Sequence, residues 1–397
     1  MPTISRPTRR HDFEIAVVCA LPLEYDAAIL VFDEFWDEEG DVYGRAPGDP
    51  NTYTTGRIGQ YNVVLVLLSN MGTISSAGAT ASLRSSYTGL RLALLAGICG
   101  GVPGVGDAEI ILGDVVISKT VVQYDFGKQY PGSFVRKDTL EDNLGRAAKD
   151  VRNLVAIFET EHGRDRLHSG AVQVLAQIQA EAAAKKRLRT KYGRPPASED
   201  RLFEAEYVHM HRDTNTCGCA DGTLACEEAR DSSCEQLACD NARLLHRERL
   251  DDDPEFDIFV GRIGSDDSVV KSGRDRECLA KAHGLIAFEM EGAGVWDEVP
   301  SIVVKGVCDY ADSHKNKRWQ MYAAATAASV MKALLMRYTR TDAAEDAGSG
   351  RERDEGGAVS SSAPSNGPGS VSNGRISGRN VVFGNNITGG TTTMNFG

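Results

Sequence analysis

The sequence predicts an α/β fold in which a central, mixed but mainly parallel sheet is flanked by helices. Short runs of β-branched and other apolar residues, such as Ile302–Val307, alternate along the chain with segments of helical character. Several of these runs end in glycines or acidic residues, the position at which open α/β sheets hold their ligands. The chain has 397 residues, of which 41% are hydrophobic, enough for a sizeable core around such a sheet.

The first half of the chain supplies alternating strands and helices. Phe13–Leu21 is apolar and β-branched and is predicted to be the first core strand. Pro22 suits the first turn of a helix, which places Glu24 in that turn. The other elements expected here are a hairpin-like strand pair at Tyr53–Ile58 and Tyr61–Leu68, a helix at Ser75–Leu83, a strand at Leu92–Ala96 and two strand-like runs within Ile110–Val122, separated at Gly113 and Asp114.

A large insertion interrupts the second half of the chain. The pattern changes at about residues 163–257, with a helical stretch at Gln177–Tyr192 and a cysteine-rich stretch at Cys217–Cys239. The core resumes with a strand at Phe259–Ile263 and ends with a helix at Tyr322–Tyr338. We therefore expect a flexible arm at residues 1–11, a folded domain at 12–340, a disordered linker at 341–374 and a separate motif at 375–397.

Charge and hydrophobicity limit the kinds of molecule that this protein is expected to bind. The formal net charge of −12 argues against nucleic acid or an anionic membrane surface as the main partner. No stretch approaches the roughly eighteen consecutive apolar residues of a membrane span, and the first ten residues lack the apolar core of a signal peptide. We therefore expect a soluble, cytoplasmic protein whose nine cysteines are reduced thiols rather than a disulfide framework.

The stretch from Ala287 to Asp312 gathers polar groups at two neighbouring strand ends. An apolar run ends in Glu-Met-Glu and opens into a glycine-rich helix start, and Asp309 follows the next strand. Because the carboxyl ends of such strands meet at one edge of the sheet, we expect Met290, Glu291 and Asp309 to face one crevice. The alternative is an ordinary strand–helix–strand unit with solvated acids.

These residues also carry a family resemblance. Phe288-Glu289-Met290-Glu291 followed by Cys308-Asp309 resembles the signature of the nucleoside phosphorylase and nucleosidase superfamily. The resemblance covers about Phe13 to Tyr338 and implies that family's three-layer fold. It also implies ribose binding by Met290 and Glu291 and contact of Asp309 with the purine ring. The residues implied to hold the base are Gly100 and Gly101 in a glycine turn, and Val269 and Val270 in a loop at Ile263–Lys271.

Glu24 distinguishes two activities within the resembling family. A Glu at this place activates water in the methylthioadenosine-type nucleosidases, whereas the phosphorylases have an Arg there that helps to bind phosphate. Leu95 and Ile98 stand where the phosphorylases carry an Arg and a Ser, so the resemblance implies hydrolysis without a cofactor. Lys305 stands where the nucleosidases hold an Arg near the water. The lysine keeps the positive charge but cannot form the two parallel hydrogen bonds of an arginine guanidinium.

Two further stretches resemble the fungal immune-effector branch of the family. These stretches are Arg194–Tyr207 and Asp309–Gln320. The resemblance implies that the protein is an effector of immune cell death that cleaves ATP into adenine and ribose triphosphate. A triphosphate requires convergent cations, and the candidates are Arg201, Arg262, Lys271, Arg274, Lys315 and Arg318. Trp319 falls where small nucleosidases line a thioether pocket, so a thioether nucleoside is the competing substrate.

Other functions stay open beside this one. A nucleoside-binding sensor or adaptor without turnover is the alternative, because Ile98 replaces a Ser and Lys305 an Arg of the resembling nucleosidases. A phosphorylase is the third possible function. The family's oligomers imply a homo-oligomer.

The cysteine-rich stretch raises the question of a metal. Cys217, Cys219, Cys234 and Cys239 are the zinc candidates, with Cys226, His209 and His211 nearby. Their spacings match no standard zinc finger, so we predict no metal and expect a reduced or partly disulfide-linked surface loop, with structural zinc as the alternative.

The last segment carries a separate signal. Residues 375–397 alternate β-forming residues with Asn and Gly and contain no acid and no proline. This composition favours cross-β stacking and resembles the short amyloid signalling motifs of fungal immune receptors and effectors. We therefore expect an amyloid-type contact with a receptor that carries a similar motif, the alternative being an adhesive disordered tail.

Overall fold

The computed structural model describes residues 6–106, 108–139, 141–185, 192–212, 217, 219, 225–251 and 255–339. The predicted linker at 341–374 and the motif at 375–397 lie outside the described residues. Residues 6–11 of the predicted arm are described, and there the Tyr43 hydroxyl donates a 3.0 Å hydrogen bond to the Pro7 carbonyl.

A mixed sheet forms the centre of the molecule. Its strands, with two short peripheral pairs, are β1 Ile15–Cys19, β2 Glu34–Phe35, β3 Tyr53–Ile58, β4 Tyr61–Leu67, β5 Leu92–Gly101, β6 Gly104–Val105, β7 Ala108–Glu109, β8 Val115–Gln123, β9 Gly127–Tyr130, β10 Ser133–Arg136, β11 Ile258–Ser265, β12 Leu285–Glu289 and β13 Ser301–Asp309. Among the described residues, nine strands form the main sheet in the order β12-β11-β8-β13-β5-β1-β4-β3-β2. An added β12–β5 pairing curls one end of this sheet into a closed barrel-like unit.

Two groups of helices cover this sheet. The α-helices are α1 Pro22–Ile29, α2 Thr73–Ser86, α3 Lys149–Phe158, α4 Glu161–Ala184, α5 Glu227–Asp231, α6 Glu248–Asp251, α7 Gly273–His283, α8 Gly292–Glu298 and α9 Gln320–Leu335. Helices α1 and α4 pack against α9, which lies on β13 and β5, and α2 packs against α8. Gly306 permits the α9 contact, because a Cβ there would lie 2.0 Å from the Ala323 carbonyl oxygen.

Strand pairing brings together the strand ends that matter for function. Strand β5 pairs in parallel with β1 and β13, so the carboxyl ends of these three strands meet at one edge of the sheet. Strand β12 runs antiparallel to β5, and its pairing of Ala287 and Phe288 with Gly101 and Gly100 places its carboxyl end beside that of β5. The predicted mixed, mainly parallel sheet with flanking helices is confirmed.

Two predicted elements differ from the structure. The first strand-like run within Ile110–Val122 is not a strand, because the Ile111 and Leu112 amides donate to the carboxylates of Asp114 and Asp200 instead of a neighbouring strand. The expected insertion start at about residue 163 falls inside α4, which packs on α9 as part of the helical layer.

The segment that departs from the α/β pattern is residues 192–251. It contains the short α5 and α6, two 3₁₀ helices and an isolated bridge between Phe203 and Leu244. It has its own small apolar cluster, separate from the main core. No helix among the described residues combines the length and apolarity needed to cross a membrane.

Candidate active site

One crevice lies at the carboxyl ends of β1, β5, β12 and β13. It brings together eight of the residues singled out in the sequence: Glu24, Gly100, Val269, Val270, Met290, Glu291, Asp309 and Lys315. Phe288, Cys99 and Ile98 add apolar walls. The crevice therefore combines an apolar lining with carboxylates, the arrangement typical of small-molecule sites.

Glu24 is held in place by backbone donors. One carboxylate oxygen accepts hydrogen bonds from the amides of Ala20 and Leu21 at 2.8 and 2.9 Å, and the other accepts from the Ile98 amide at 2.8 Å. Gly97 makes room for this carboxylate, because a Cβ there would lie 2.1 Å from Glu24 Oε1. Two carboxylate oxygens accept up to about four hydrogen bonds, so capacity remains for a molecule in the crevice.

Lys305 lies beneath the crevice among three carboxylates. Its Nζ is 3.1 Å from Glu291 Oε2, 3.9 Å from Glu24 Oε1 and 4.0 Å from Glu289 Oε2. All four side chains are almost fully buried. The lysine thus links the predicted water-activating and ribose-binding carboxylates in one network.

Burial and this charge balance shift the pKa values of the network. Burial raises the pKa of Glu24; Lys305 partly offsets this and the charge of Glu291 adds to it. Burial likewise raises the pKa of Glu289 to about 7. Burial alone would lower the pKa of Lys305, but the charges of Glu291, Glu24 and Glu289 outweigh it and hold that pKa above its ordinary value.

Glu289 and Glu291 divide two tasks at the start of α8. The Glu289 carboxylate accepts hydrogen bonds from the amides of Glu291 and Gly292 at 2.8–3.0 Å and so caps the helix. Glu291 turns toward the crevice, where its Oε1 accepts a 3.4 Å hydrogen bond from the Gly72 amide. Both acids of the Glu-Met-Glu step line the crevice, and Glu289 also binds the amides at the helix start.

Asp309 stands at the end of β13 beside Lys315. Its Oδ1 accepts a 2.8 Å hydrogen bond from the Ala311 amide and lies 3.1 Å from Lys315 Nζ. Ala311 has a positive φ of 51°, a backbone conformation that costs free energy for a residue with a Cβ. Such strain is common where a chain is shaped around a site.

Three cavities share Lys315. Besides the crevice, it lines a groove with Arg201 and Arg318, and another with Lys271 and Arg274. Arg201 also pairs with Glu235 at 2.9 Å. Five of the six cation candidates thus lie in the crevice or in grooves that adjoin Lys315.

Other singled-out residues lie elsewhere or below the surface of the crevice. Trp319 is fully buried and donates from Nε1 to the Glu199 carbonyl at 3.3 Å, and Arg262 donates to the His283 carbonyl at 3.2 Å. Gly101 faces Val307 in the sheet. None of these three lines the crevice, and Lys305 reaches it only through its carboxylate partners.

Sequence patterns did not indicate the residues that support the Asp309 loop. Tyr310 donates from its hydroxyl to Asp200 Oδ1 at 2.6 Å, and Asp200 also accepts the Leu112 amide. Arg276, almost fully buried, donates to the Tyr310 carbonyl at 2.9 Å. Asp200 and Tyr310 are 110 positions apart in the chain, and local sequence patterns carry no signal for such a pair.

Comparison with known families identifies the fold. The model of the family described as "Phosphorylase superfamily" matches residues 14–206. That range includes β1, Glu24 and the whole of β5. The match therefore covers the first two of the four strands that border the crevice.

Relatives of two kinds match the sequence. A "Nucleotide-binding leucine-rich repeat (NLR)-like protein" of Hyaloscypha variabilis is 33% identical over 331 residues, which are 82% of this chain and 29% of that protein. A "5'-methylthioadenosine/S-adenosylhomocysteine nucleosidase" of Mycobacterium tuberculosis is 31% identical over 115 residues, which are 28% of this chain and 39% of the relative. The chain therefore spans well under half the length of either relative.

Solved structures of bacterial enzymes also align with the chain. An S-adenosylhomocysteine nucleosidase of Streptococcus pyogenes has a TM-score of 0.49 at 16% identity, covering 83% of this chain and 98% of that structure. A futalosine hydrolase of Helicobacter pylori has a TM-score of 0.47 at 16% identity, with 82% and 98% covered.

The sheet topology and the family match agree on the fold. The chain has a mixed α/β fold like that of nucleoside phosphorylases and nucleosidases, and the model of the phosphorylase superfamily matches just under half of it, residues 14–206.

Proposed function

We propose that this chain is an N-glycosidase that uses water to release a purine base from a nucleoside or nucleotide. The observation that carries the proposal is that Glu24, Glu291 and Asp309, from three different elements, line one crevice. Cleavage of this bond passes through an oxocarbenium-like state, which needs a donor to the leaving base and a base to activate water. The three carboxyl groups provide those functions and a hold on the sugar.

Each group has a separate part in the reaction. Glu291 accepts hydrogen bonds from the ribose hydroxyls, with Met290 as the apolar floor. Asp309 donates a proton to N7 of the purine, so that the base leaves as a neutral species while the bond from C1′ to N9 breaks. Glu24 accepts a proton from the water whose oxygen forms the new bond to C1′.

The hydrogen bonds that hold Glu24 support its proposed role as the base that activates water. Its backbone donors fix the carboxylate before substrate binds, and such preorganisation lowers the cost of reaching the transition state. Ile98 offers the water no side-chain hydrogen bond, whereas its amide fixes Glu24. Lys305 contributes as a positioning residue through Glu24 and Glu291.

ATP is the substrate that the surrounding charges favour. Lys315 lies at the crevice, and Lys271, Arg274, Arg201 and Arg318 line the two grooves that adjoin it. A triphosphate at the 5′ position of the ribose would meet several of these donors at once, and convergent cations are the usual means of binding polyphosphate. The products would be adenine and ribose triphosphate.

A thioether nucleoside is the second candidate. The nucleosidase of Mycobacterium tuberculosis supports it by the substrates in its name, and the half-exposed Met71 supplies an apolar wall in the same crevice. A methylthio group in place of the triphosphate would leave the cations of the two grooves unused.

The test is chromatography of the purified chain after incubation with ATP or methylthioadenosine, with and without phosphate. We expect free adenine from ATP in phosphate-free buffer, with the triphosphate still on the sugar. Adenine from methylthioadenosine alone would assign the second candidate, and a requirement for phosphate would assign a phosphorylase. Intact nucleosides in every arm would favour the nucleoside-binding sensor.

The wider role in this proposal is that of an immune cell-death effector acting in the cytoplasm as a homo-oligomer. The NLR-like relative supports an immune context by its name. The predicted amyloid-type motif lies at residues 375–397, outside the described residues, and its contact with a receptor stays a prediction.

A further inference from the structure

Two groups of four metal-ligating side chains occur in and around the segment 192–251. The first group contains His209, Cys234, Cys239 and His314, and the second contains His211, Cys217, Cys219 and Cys226. Within each group, one nitrogen or sulfur atom from every residue lies within 4.8 Å of all the others. We propose that each group binds one structural zinc ion, the first as a Cys2His2 site and the second as a Cys3His site.

The distances in the first group match a tetrahedral zinc site. Cys239 Sγ and Cys234 Sγ lie 3.3 and 3.7 Å from His209 Nδ1, and Cys234 Sγ lies 3.5 Å from His314 Nδ1. With Zn–S near 2.3 Å and Zn–N near 2.0–2.1 Å, the sulfur and nitrogen ligands of a tetrahedral zinc are about 3.6 Å apart. The four side chains therefore surround a space of the size that zinc requires.

The two histidines of this group are oriented as metal ligands. His209 Nε2 lies 2.9 Å from the Ser232 carbonyl, and His314 Nε2 lies 2.9 Å from the Tyr207 carbonyl. A proton on each Nε2, donated to a carbonyl, leaves Nδ1 unprotonated toward the cysteines. Metal-bound histidines use their second nitrogen in this way to fix the ring and its tautomer.

The second group shows the same features around one histidine. His211 Nδ1 lies 3.7, 3.9 and 3.4 Å from the sulfurs of Cys217, Cys219 and Cys226. The Cys226 amide donates to Cys219 Sγ at 3.2 Å, and the Ala229 amide donates to Cys226 Sγ at 3.4 Å. Amide donors of this kind stabilise thiolates, which are the form that binds zinc.

The chemistry of the donors and the size of the segment both favour zinc. Four thiolate and imidazole ligands in a closed tetrahedron select zinc over calcium or magnesium. Among the described residues of the segment, its own cluster contains six buried residues, Phe203, Met210, Cys219, Ala229, Leu237 and Cys239. A core of this size seldom stabilises a segment whose described residues form so little helix or strand, and a bound metal would add stability. All nine cysteines are described, and none of them forms a disulfide.

The first site joins the segment to the loop that carries the crevice residues. His314 belongs to the stretch after Asp309, and its neighbour Lys315 lines the crevice. The Ser313 hydroxyl oxygen accepts a 3.0 Å hydrogen bond from the His209 amide. The segment therefore also contacts this loop at the residue before His314. A zinc ion here would fix the loop that positions Lys315, whereas the second site lies wholly within the segment.

The first experiment is elemental analysis of the full chain purified with a reductant and without added metal. We expect two zinc ions per chain in the wild type and one in each of Cys234→Ser and Cys226→Ser. Cys278→Ser is the matched control, because Cys278 is exposed on α7 outside both groups, and it should keep both ions. A folded wild-type chain without zinc, with iron instead, or with disulfides between these cysteines in mass spectrometry would overturn the proposal.

A second measurement separates the two sites and needs no enzymatic activity. Hydrogen exchange of the peptide that contains residues 309–320 should become faster in Cys234→Ser and stay at the wild-type rate in Cys226→Ser. Equal exchange in both variants would contradict the link between the first site and the loop. Cobalt in place of zinc provides a further check, because the absorption bands of tetrahedral cobalt should weaken in either variant, and the sulfur-to-cobalt bands more in Cys226→Ser, which loses the site with three cysteines.

Discussion

Lys305 determines the charge balance beneath the crevice. One buried ammonium group faces the carboxylates of Glu24, Glu289 and Glu291, all within 4.0 Å. A buried carboxylate is costly without a partner, so removal of the lysine would leave three such groups in an apolar environment. The single lysine therefore allows these acids to coexist at the site.

The pH dependence of base release tests this arrangement. Glu24 acts as a base only when ionised, so the acidic limb of the rate profile should rise with pH through an inflection above the ordinary pKa of 4.5, because burial raises the pKa of Glu24. Lys305 lowers that pKa, so Lys305→Met should move the inflection to higher pH. Lys305→Arg keeps the charge and should leave the inflection near its wild-type position.

Initial rates of adenine release across the pH range provide the measurement, with circular dichroism as the control for folding. A folded Lys305→Met protein whose profile overlays that of the wild type would contradict the proposed contact with Glu24.

Asp309 tests protonation of the leaving base. Asp309→Asn keeps the hydrogen bond from the Ala311 amide but removes the proton donor, so the rate of adenine release should fall by roughly 10²–10⁴-fold. Asp297→Asn is the matched control, because Asp297 is exposed on α8 and should leave the rate unchanged. Stopped reactions analysed by chromatography measure both, and a wild-type rate in Asp309→Asn would exclude the proposed donor.

At the residue scale, short motifs predicted part of the site. Strand ends indicated Glu291 and Asp309, the family resemblance indicated Glu24, and all three line one crevice. The resemblance implied a ribose contact for Glu291 but no task for Glu289, whose hydrogen bonds to the start of α8 are visible only in the structure.

At the scale of elements, the approach of α1 to β5 depends on Gly97. Glu24 in the first turn of α1 reaches the Ile98 amide of β5, and its carboxylate fills the space that a Cβ at position 97 would need. The site thus depends on close contact between a helix and a strand that are about seventy positions apart.

Gly97→Ala should therefore displace Glu24. We expect a loss of about 1–3 kcal/mol in the free energy of unfolding, typical of overpacking, together with loss of base release. Gly78→Ala in α2 is the control: nothing lies within 4 Å of its Cβ, and Ala should stabilise the helix by about 0.5–1 kcal/mol. Denaturant unfolding and adenine assays measure both effects, and an active, equally stable Gly97→Ala protein would show that the site does not need this contact.

Sequence patterns predicted elements well where hydrophobicity is continuous. The strand at Leu92–Ala96 and the hairpin-like pair appear as β5, β3 and β4, because Leu92–Ala96 is continuously apolar and the pair contains threonines and valines that favour strands. The run at Ile110–Leu112 is equally apolar but forms a loop, since its amides bind the side chains of Asp114 and Asp200. A pattern of apolar residues does not reveal such side-chain partners.

At the scale of the whole molecule, the segment 192–251 supports the loop that follows β13. Asp200 holds Tyr310, and the backbone of Tyr207 and His209 contacts His314 and Ser313. The cysteine spacing pointed to zinc only weakly, because one ligand of the first group, His314, lies 75 positions beyond Cys239 in the chain. Such a site becomes visible only when the fold brings the loop and the segment together.

The central claim is that the crevice performs hydrolysis with Glu24 as the base, and adenine release in phosphate-free buffer by the wild type and Glu24→Gln tests it most directly. Gln keeps the size of the side chain but accepts no proton. We expect release by the wild type without phosphate and a rate roughly 10²–10⁴-fold lower in a folded Glu24→Gln protein. Wild-type rates in Glu24→Gln, or release that begins only when phosphate is added, would contradict it.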